Sequence, residues 1–221
     1  MHPVDIVEDI AIGFGYENMP DILSSVHIDA SPLKSSNLHR RIRMSMRSVG
    51  LQEIQSLTLS NEGDQFEKTR WPMVSEATVI SNPITVDHTI LRQYIFPSLM
   101  NLLASNRHHE LPQRVYELGG VVHGGGNKTR VSWACAESGA GFSTAKGIVQ
   151  SLLRDLGAPV SSVSFEPVAE GRGPWIDGRG ARVLIDDYEI GEFGEVSPEV
   201  MSLFGLRTPI HAGEFDIDII S

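Results

Sequence analysis

The sequence predicts an α+β fold, an antiparallel sheet flanked by helices. Two observations carry this. Extended segments come in consecutive groups, often joined by turns too short for the crossover that a parallel pair requires. Between them stand segments with the apolar period of a helix, most of them closed by a glycine. The composition agrees: 41% hydrophobic and 21% charged residues in a chain of 221 supply a real core and exclude disorder.

In chain order, "PVDIVEDIAIGFGYENMP" predicts a short helix ending at Gly13 or Gly15, with Ile6, Ile10 and Phe14 on one face. "SPLKSSNLHRRIRMSMRSVG" predicts a stronger one, with Ser31 as cap, Pro32 in the first position and Gly50 closing it. Its stripe is Leu38, Ile42, Ser45, Met46 and Val49. "LQEIQSLTLS" reads as a strand, residues 61–75 as a loop with a short helix, and "ATVISNP" as a short strand stopped by Pro83. "FPSLMNLLASN" is a compact helix with Leu99, Leu102 and Leu103 inward. "QRVYELGGVV" and "TRVSWACAE" are strands flanking a glycine run. "FSTAKGIVQSLLRDLG" has the clearest helical period, placing Ala145, Ile148, Val149, Leu152 and Leu156 on one side. Strands follow near 161–167, 181–186 and 188–196. "SPEVMSLFG" carries the start and stop signals of a short helix, and "PIHAGEFDIDII" alternates as a last strand.

Several function classes fall away on bulk properties. A formal net charge of -10 disfavours broad adhesion to nucleic acid or to anionic lipid. One cysteine, Cys135, permits no intrachain disulfide and points to a reducing compartment, hence a cytoplasmic location. No apolar run approaches the ~18 residues of a membrane span. The N-terminus lacks the plan of a signal peptide and starts abruptly inside a helix, as in a piece of a longer chain.

The glycine run Gly124–Gly126 invites a phosphate-loop reading. It fails on spacing, because Asn127 separates Gly126 from Lys128, and on context, because a strand follows where a helix is needed. A hairpin tip is the better account. Asp5, Glu8 and Asp9 share a helix side and could ligate Mg²⁺, although acidic residues in a first turn also offset the helix dipole. "EGRGPWIDGRG" reads as a loop with solvated charges, its Arg172 and Arg179 being the groups that could grip an anion. Glu214, Asp216 and Asp218 alternate at ~7 Å, too wide for one metal, and read as the polar face of a strand. His108 and His109 are adjacent and so point apart on regular structure. Lys34, Arg40, Arg41, Arg43 and Arg47 make the second helix basic, suited either to RNA phosphates or to a solvated face.

Four collinear blocks resemble the beta subunit of phenylalanyl-tRNA synthetase in its archaeal and eukaryotic form. They are "VDIVEDIAIGFGYENMP", "HTILRQYIFPSLMNLLASNRHHELPQRVYELGGVV", "FSTAKGIVQSLLRDLG", and "IDGRGARVLIDDYEIGEFGEVSPEVMSLFGL" followed by "PIHAGEFDIDII". The resemblance implies a catalytic-like module on a class II aminoacyl-tRNA synthetase antiparallel sheet, spanning 21–221, with 1–20 as the tail of a preceding small helical domain. It implies a partner, the catalytic alpha subunit, in an (αβ)₂ heterotetramer that uses ATP and Mg²⁺ to charge tRNA. It assigns Asp5, Glu8 and Asp9 to a shared Mg²⁺ site whose further acidic ligand lies before Met1. The segment "LHRRIRMSMRSVGLQEIQSLTL" corresponds to the subunit-contact motif, so Leu38, Ile42, Met46, Arg43 and Arg47 are the expected interface, with part of the stripe covering the module's own sheet. An uncovered interface would let the isolated chain pair as a homodimer. Active class II modules hold ATP with arginines on two strands. Here one strand runs into His123 and glycines, and the last reads "GEFDIDII". The expectation is a non-catalytic docking module whose cleft lacks guanidinium groups. The rivals are a ligase acting through Arg172 and Arg179, and an RNA-binding module using the basic helix.

Overall fold

Residues 2–22, 25 and 30–218 are described by a computed structural model. Contacts divide the chain into two units, 1–32 and 33–221.

The first unit holds helix α1, Pro3–Phe14, followed by a 3-10 turn at Tyr16–Asn18. Pro3 fits the first helical position because its missing N–H has no partner there in any helix. His2 caps: its Nδ1 accepts from the N–H of Val4, while the Asp5 carboxylate accepts from the N–H of His2 at 2.6 Å. Gly15, at φ 87°, lets the chain turn out of the helix. No residue of α1 is buried within the chain.

The second unit is built on a seven-stranded sheet. Its strands are β1 (Gln52–Glu53), β4 (Gln113–His123), β5 (Gly126–Ala136), β6 (Val163–Pro167), β7 (Trp175–Ile185), β8 (Tyr188–Val196) and β9 (Ile210–Asp216). Their spatial order is β1-β4-β5-β9-β8-β7-β6. Every pairing is antiparallel except that of β1 with β4. A separate two-residue pair joins β2 (Leu59–Ser60) to β3 (Ile90–Leu91). The glycine run is a hairpin tip: β4 and β5 pair from Gln113↔Ala136 to His123↔Gly126, and Gly124 and Gly125 take positive φ. The last strand ends at Asp216, and residues 219 and 220 lie outside the described residues.

Alternation along the central strands divides the interior into two cores. On one face, α2 (Lys34–Ser48) and α4 (Phe142–Asp155) cover the sheet, packing Ile42, Met46, Ile148 and Leu152 against Tyr116, Trp133, Phe193 and Phe215. On the other lie α3 (Phe96–Ser105), α5 (Pro198–Leu203) and the segment around Trp71, packing Leu99, Met100 and Val200 against Val115, Ala134, Val196 and Ala212. Each large apolar side chain fully buried in these cores stabilises by about 1.5–3 kcal/mol.

Three local expectations change. Helix α2 begins at Lys34, with Leu33 at the cap position and no side-chain cap; Ser31 lies too far upstream to reach the first turn. The single strand expected over 51–60 is two short pieces in different sheets. The stretch expected as a loop around Trp175 is the start of β7, which pairs with β8 through a register shift between Trp175 and Gly180.

Candidate functional site

The face of the sheet toward α3 carries three buried or half-buried ion pairs. Arg92 Nη2 lies 2.6 Å from Glu117 Oε1, with both side chains 1% exposed. Arg92 also donates to the carbonyl of Gly120 and to Ser56 Oγ. Arg130, on β5, places Nε 2.7 Å from Glu214 Oε1 on β9. Arg172 comes within 3.6 Å of Glu192 on β8.

Glu214 does two jobs. It neutralises Arg130, and it accepts from the N–H groups of Ile95 and Phe96 at 2.8–3.1 Å. Those are orphan donors at the start of α3, so the carboxylate fills the place where an anionic ligand would otherwise sit on the positive helix end. Glu192 accepts from the indole N–H groups of Trp71 and Trp175, at 2.9 and 3.0 Å. The space left between Trp71, Tyr94, Arg130, Arg172 and Gly191 is about 200 Å³, below the roughly 300 Å³ at which drug-sized ligand sites begin.

Two expectations are corrected here. Glu214 is not on a solvated polar face; it is 1% exposed and fully engaged. The cleft also does hold guanidinium groups, from Arg130 and Arg172. The sequence directs attention to the strand "RVYELGGVV" and to the last strand, whereas Arg130 comes from the second arm of the hairpin. The acids act by neutralising these arginines rather than by repelling a nucleotide from a cleft without cations. Arg179 is likewise engaged, with Glu195 at 2.7 Å. Asp218 accepts from the N–H of Thr129 and so braces the strand ends.

On the opposite side of the same strands, Arg114, Cys135 and His211 are cross-strand neighbours in register. Glu137 links two of them, accepting from Arg114 Nε and Nη2 at 2.8 and 2.6 Å and meeting His211 Nε2 at 3.0 Å. The set has the residue types of a thiol protease but not the chemistry. Burial, with the Glu137 charge added, pushes the Cys135 thiol up to about 12, so it stays protonated. Burial also holds His211 below its ordinary value, against the pull of Glu137. Its Nδ1 is buried without a partner, so a second ring proton would be a buried donor with no acceptor. For Glu137, burial works against ionisation, but the hydrogen bonds from Arg114 and His211 win and hold it below the usual carboxylate range.

Both shifts make the fold acid-labile. A histidine depressed on folding binds fewer protons than its unfolded form, so its stabilisation is present above the unfolded value near 6.5 and fades as pH falls below it. Glu137 contributes above its unfolded value near 4.3 and loses that as pH falls through its folded value. Thermal melts from pH 8 downward are expected to show Tm starting to fall below about pH 6.5, with the first part of the decline absent in His211→Gln. An unchanged pH profile in that variant would refute the assignment.

The remaining sequence-predicted residues are placed as follows. Ile42 and Met46 are 0% exposed and belong to the core with α4; Leu38 is half-buried against it. They are therefore spent inside the chain, because the α2 stripe faces the chain's own sheet. Arg43 pairs with Glu53 at 2.6 Å, and Arg47 donates to the carbonyl of Arg43. The outward face of α2 presents Arg40, Met44 and Arg47. Asp5 is committed to the α1 cap, and among the described residues no group of three or more Asp, Glu, His or Cys side chains could hold a metal ion. His108 and His109 do not point apart; they lie in the turn after α3 with ring centroids 4.2 Å from each other. No helix among the described residues is long and apolar enough to cross a membrane.

A large antiparallel sheet with helices on both faces and a hairpin leading into its centre is the architecture of a class II aminoacyl-tRNA synthetase catalytic domain, here with its cleft filled by its own carboxylates. A solved pyrrolysyl tRNA synthetase from Desulfitobacterium hafniense superimposes with a TM-score of 0.69 over 85% of this chain and 67% of that one, at 12% sequence identity. The family model of the phenylalanyl tRNA synthetase beta chain CLM domain matches residues 19–217, and the chain belongs to that family. Among similar proteins are the phenylalanine–tRNA ligase beta subunits of Methanothrix thermoacetophila, 36% identical over 219 residues, and of Archaeoglobus fulgidus, 34% identical over 222. These matches take in 99% and 98% of this chain but 40% and 39% of those proteins.

Proposed function

We propose that this chain is the non-catalytic, catalytic-like module of a phenylalanine–tRNA ligase beta subunit, and that it serves tRNA aminoacylation by docking the catalytic alpha subunit. The observation that carries this is Glu214. A carboxylate that caps α3 and neutralises Arg130 takes up the helix-end donors and the cation that a phosphate could otherwise use. The ligase rival acting through Arg172 and Arg179 is disfavoured, since both arginines already face glutamates.

Docking falls to the outward face of α2, where Met44 is 60% exposed between Arg40 and Arg47. The inward stripe cannot serve, being core. In the assembled (αβ)₂ complex, in the cytoplasm, the alpha subunit would use ATP. Mg²⁺ would need ligands beyond Asp5, Glu8 and Asp9.

Phenylalanine-dependent ATP–pyrophosphate exchange tests the reading. The chain alone is expected to give none, and clear turnover by it would refute the non-catalytic assignment. Co-purification with the alpha subunit tests docking: Met44→Glu together with Arg47→Glu should weaken capture by about ten-fold or more, as for a central interface residue. Undiminished capture would place the interface elsewhere.

A further inference from the structure

The fate of the arginines singles out one region. Among the described residues, every arginine but three forms an ion pair with a carboxylate or donates to a carbonyl or a hydroxyl; the exceptions are Arg40, Arg107 and Arg207. Arg40 stands on α2. Arg107 and Arg207 line one groove of about 720 Å³, between the turn after α3 and the turn after α5. Arg107 reaches across that second turn: a β-carbon on Gly205 would stand 3.9 Å from its Nη1. No Asp or Glu lines this groove, in a chain with 28 of them. Arg107 stands at the divide between this groove and a neighbouring one lined by Asp64 and Asp87, and with Arg207 it gives the carboxylate-free side two unpaired guanidinium groups for an anion from outside.

We propose that this groove binds a single-stranded segment of RNA, with Arg107 and Arg207 on its phosphates and a base stacked on His109, which lines the groove and is backed by the imidazole of His108. Two features suit an anion of either kind, and two more favour RNA over an acidic protein segment. The guanidinium fork matches phosphate and carboxylate oxygens alike in a bidentate way. The backbone N–H groups of Arg207 and Thr208 donate to no protein group among the described residues, and they stand in the same turn as further donors. The exposed imidazole of His109 lines the groove, with that of His108 4.2 Å away from it, and offers a platform for a base, from which a peptide carboxylate gains nothing. Leu206 and Thr208 place an apolar and a hydroxyl group beside the cations, as a sugar–base unit needs. The overall charge of -10 confines RNA to such a local site. The inference rests on the reading of the chain as part of a tRNA ligase.

The test uses the chain reconstituted with the alpha subunit. In Arg107→Glu/Arg207→Glu, the KM for tRNA should rise about ten-fold or more while ATP–pyrophosphate exchange stays unchanged. The salt slope of tRNA binding should shrink by about 1.4, or roughly 0.7 for each single-strand phosphate no longer neutralised. Lys128→Glu, an exposed cation at the hairpin end of β5 opposite the groove, should leave both readouts unchanged, and His108→Ala/His109→Ala should raise KM without altering the slope. An unchanged tRNA KM with normal exchange would overturn the inference while leaving the function reading intact. A ligase that charges tRNA without this chain would overturn that reading instead. Equal loss in Lys128→Glu would make the effect one of overall charge and overturn the groove as the RNA site, and competition by poly-glutamate as strong as by RNA of equal charge would assign the groove to an acidic protein.

Discussion

Replacing Glu214 with alanine is expected to destabilise the second unit by about 3–5 kcal/mol, the loss seen when one partner of a buried ion pair is removed. For a unit of this size that is a fall in Tm on the order of 10 °C. The reason is what remains behind. Arg130, 12% exposed, loses the carboxylate at 2.7 Å, and the N–H groups of Ile95 and Phe96 lose their acceptor inside a packed core. Related variants separate the two roles. Glu214→Gln keeps an acceptor for the helix donors but loses the charge, so it should fall between wild type and alanine. Arg130→Met alone strands the carboxylate and should cost nearly as much as Glu214→Ala. Arg130→Met combined with Glu214→Leu removes both charges and should recover most of the loss, leaving about 1 kcal/mol for the missing cap. Thermal or urea melts of the four variants decide it. If Glu214→Ala melts with the wild type, this carboxylate is not what holds Arg130 and the start of α3 in place, and the reading of Glu214 as the group that fills the cleft fails.

Much of the scaffold is legible in the sequence because it follows short-range rules. The period of α4, the capping signals of α5 and the hairpin around Gly124 and Gly125 are each local, and the structure keeps them. The cleft is not legible, for reasons that are equally physical. "GEFDID" alternates as an exposed strand does, yet Glu214 is buried because α3 presents unpaired N–H groups to it from a distance of some 120 residues in sequence. Arg130 sits beside Lys128 in a run that looks like solvated hairpin, and only the β5–β9 register brings it to Glu214. The α2 stripe reads as a docking surface, but its depth in the core depends on α4, more than a hundred residues later. The pairing of His108 with His109 needs the irregular turn after α3, to which no periodicity applies. Glycines hide most. In sequence they mark turns, whereas several here lie inside strands, where another chain segment passes too close for any side chain.

Gly191 is the sharpest case, and Gly191→Ala is the second substitution expected to have a large effect. Gly191 faces Phe215 across the β8–β9 ladder and Val183 across β7–β8. A β-carbon built there would lie 2.0 Å from the backbone carbonyl oxygen of Glu214 and 2.6 Å from the Phe215 ring. Neither neighbour can yield: one is ladder backbone, the other a ring with 0% exposure. The φ of 155° adds strain for any residue with a side chain. Overpacking of about 1–3 kcal/mol and backbone strain of similar size together predict a loss of about 3 kcal/mol or more, with the β8–β9 pairing forced apart. Gly120→Ala is the matched control. It also lies in a central strand, but its nearest neighbour would be 4.0 Å away, so it should stay within about 0.5 kcal/mol of wild type. Because Gly191 lines the small cleft and touches Glu214, its substitution should also loosen the Arg130–Glu214 pair. Amide exchange would show this as lost protection at Ile95 and Phe96, whose N–H groups rest on that carboxylate, alongside the strand amides of β8 and β9. A Gly191→Ala protein that keeps full stability and full protection there would mean that β8 and β9 do not approach as closely as this packing requires.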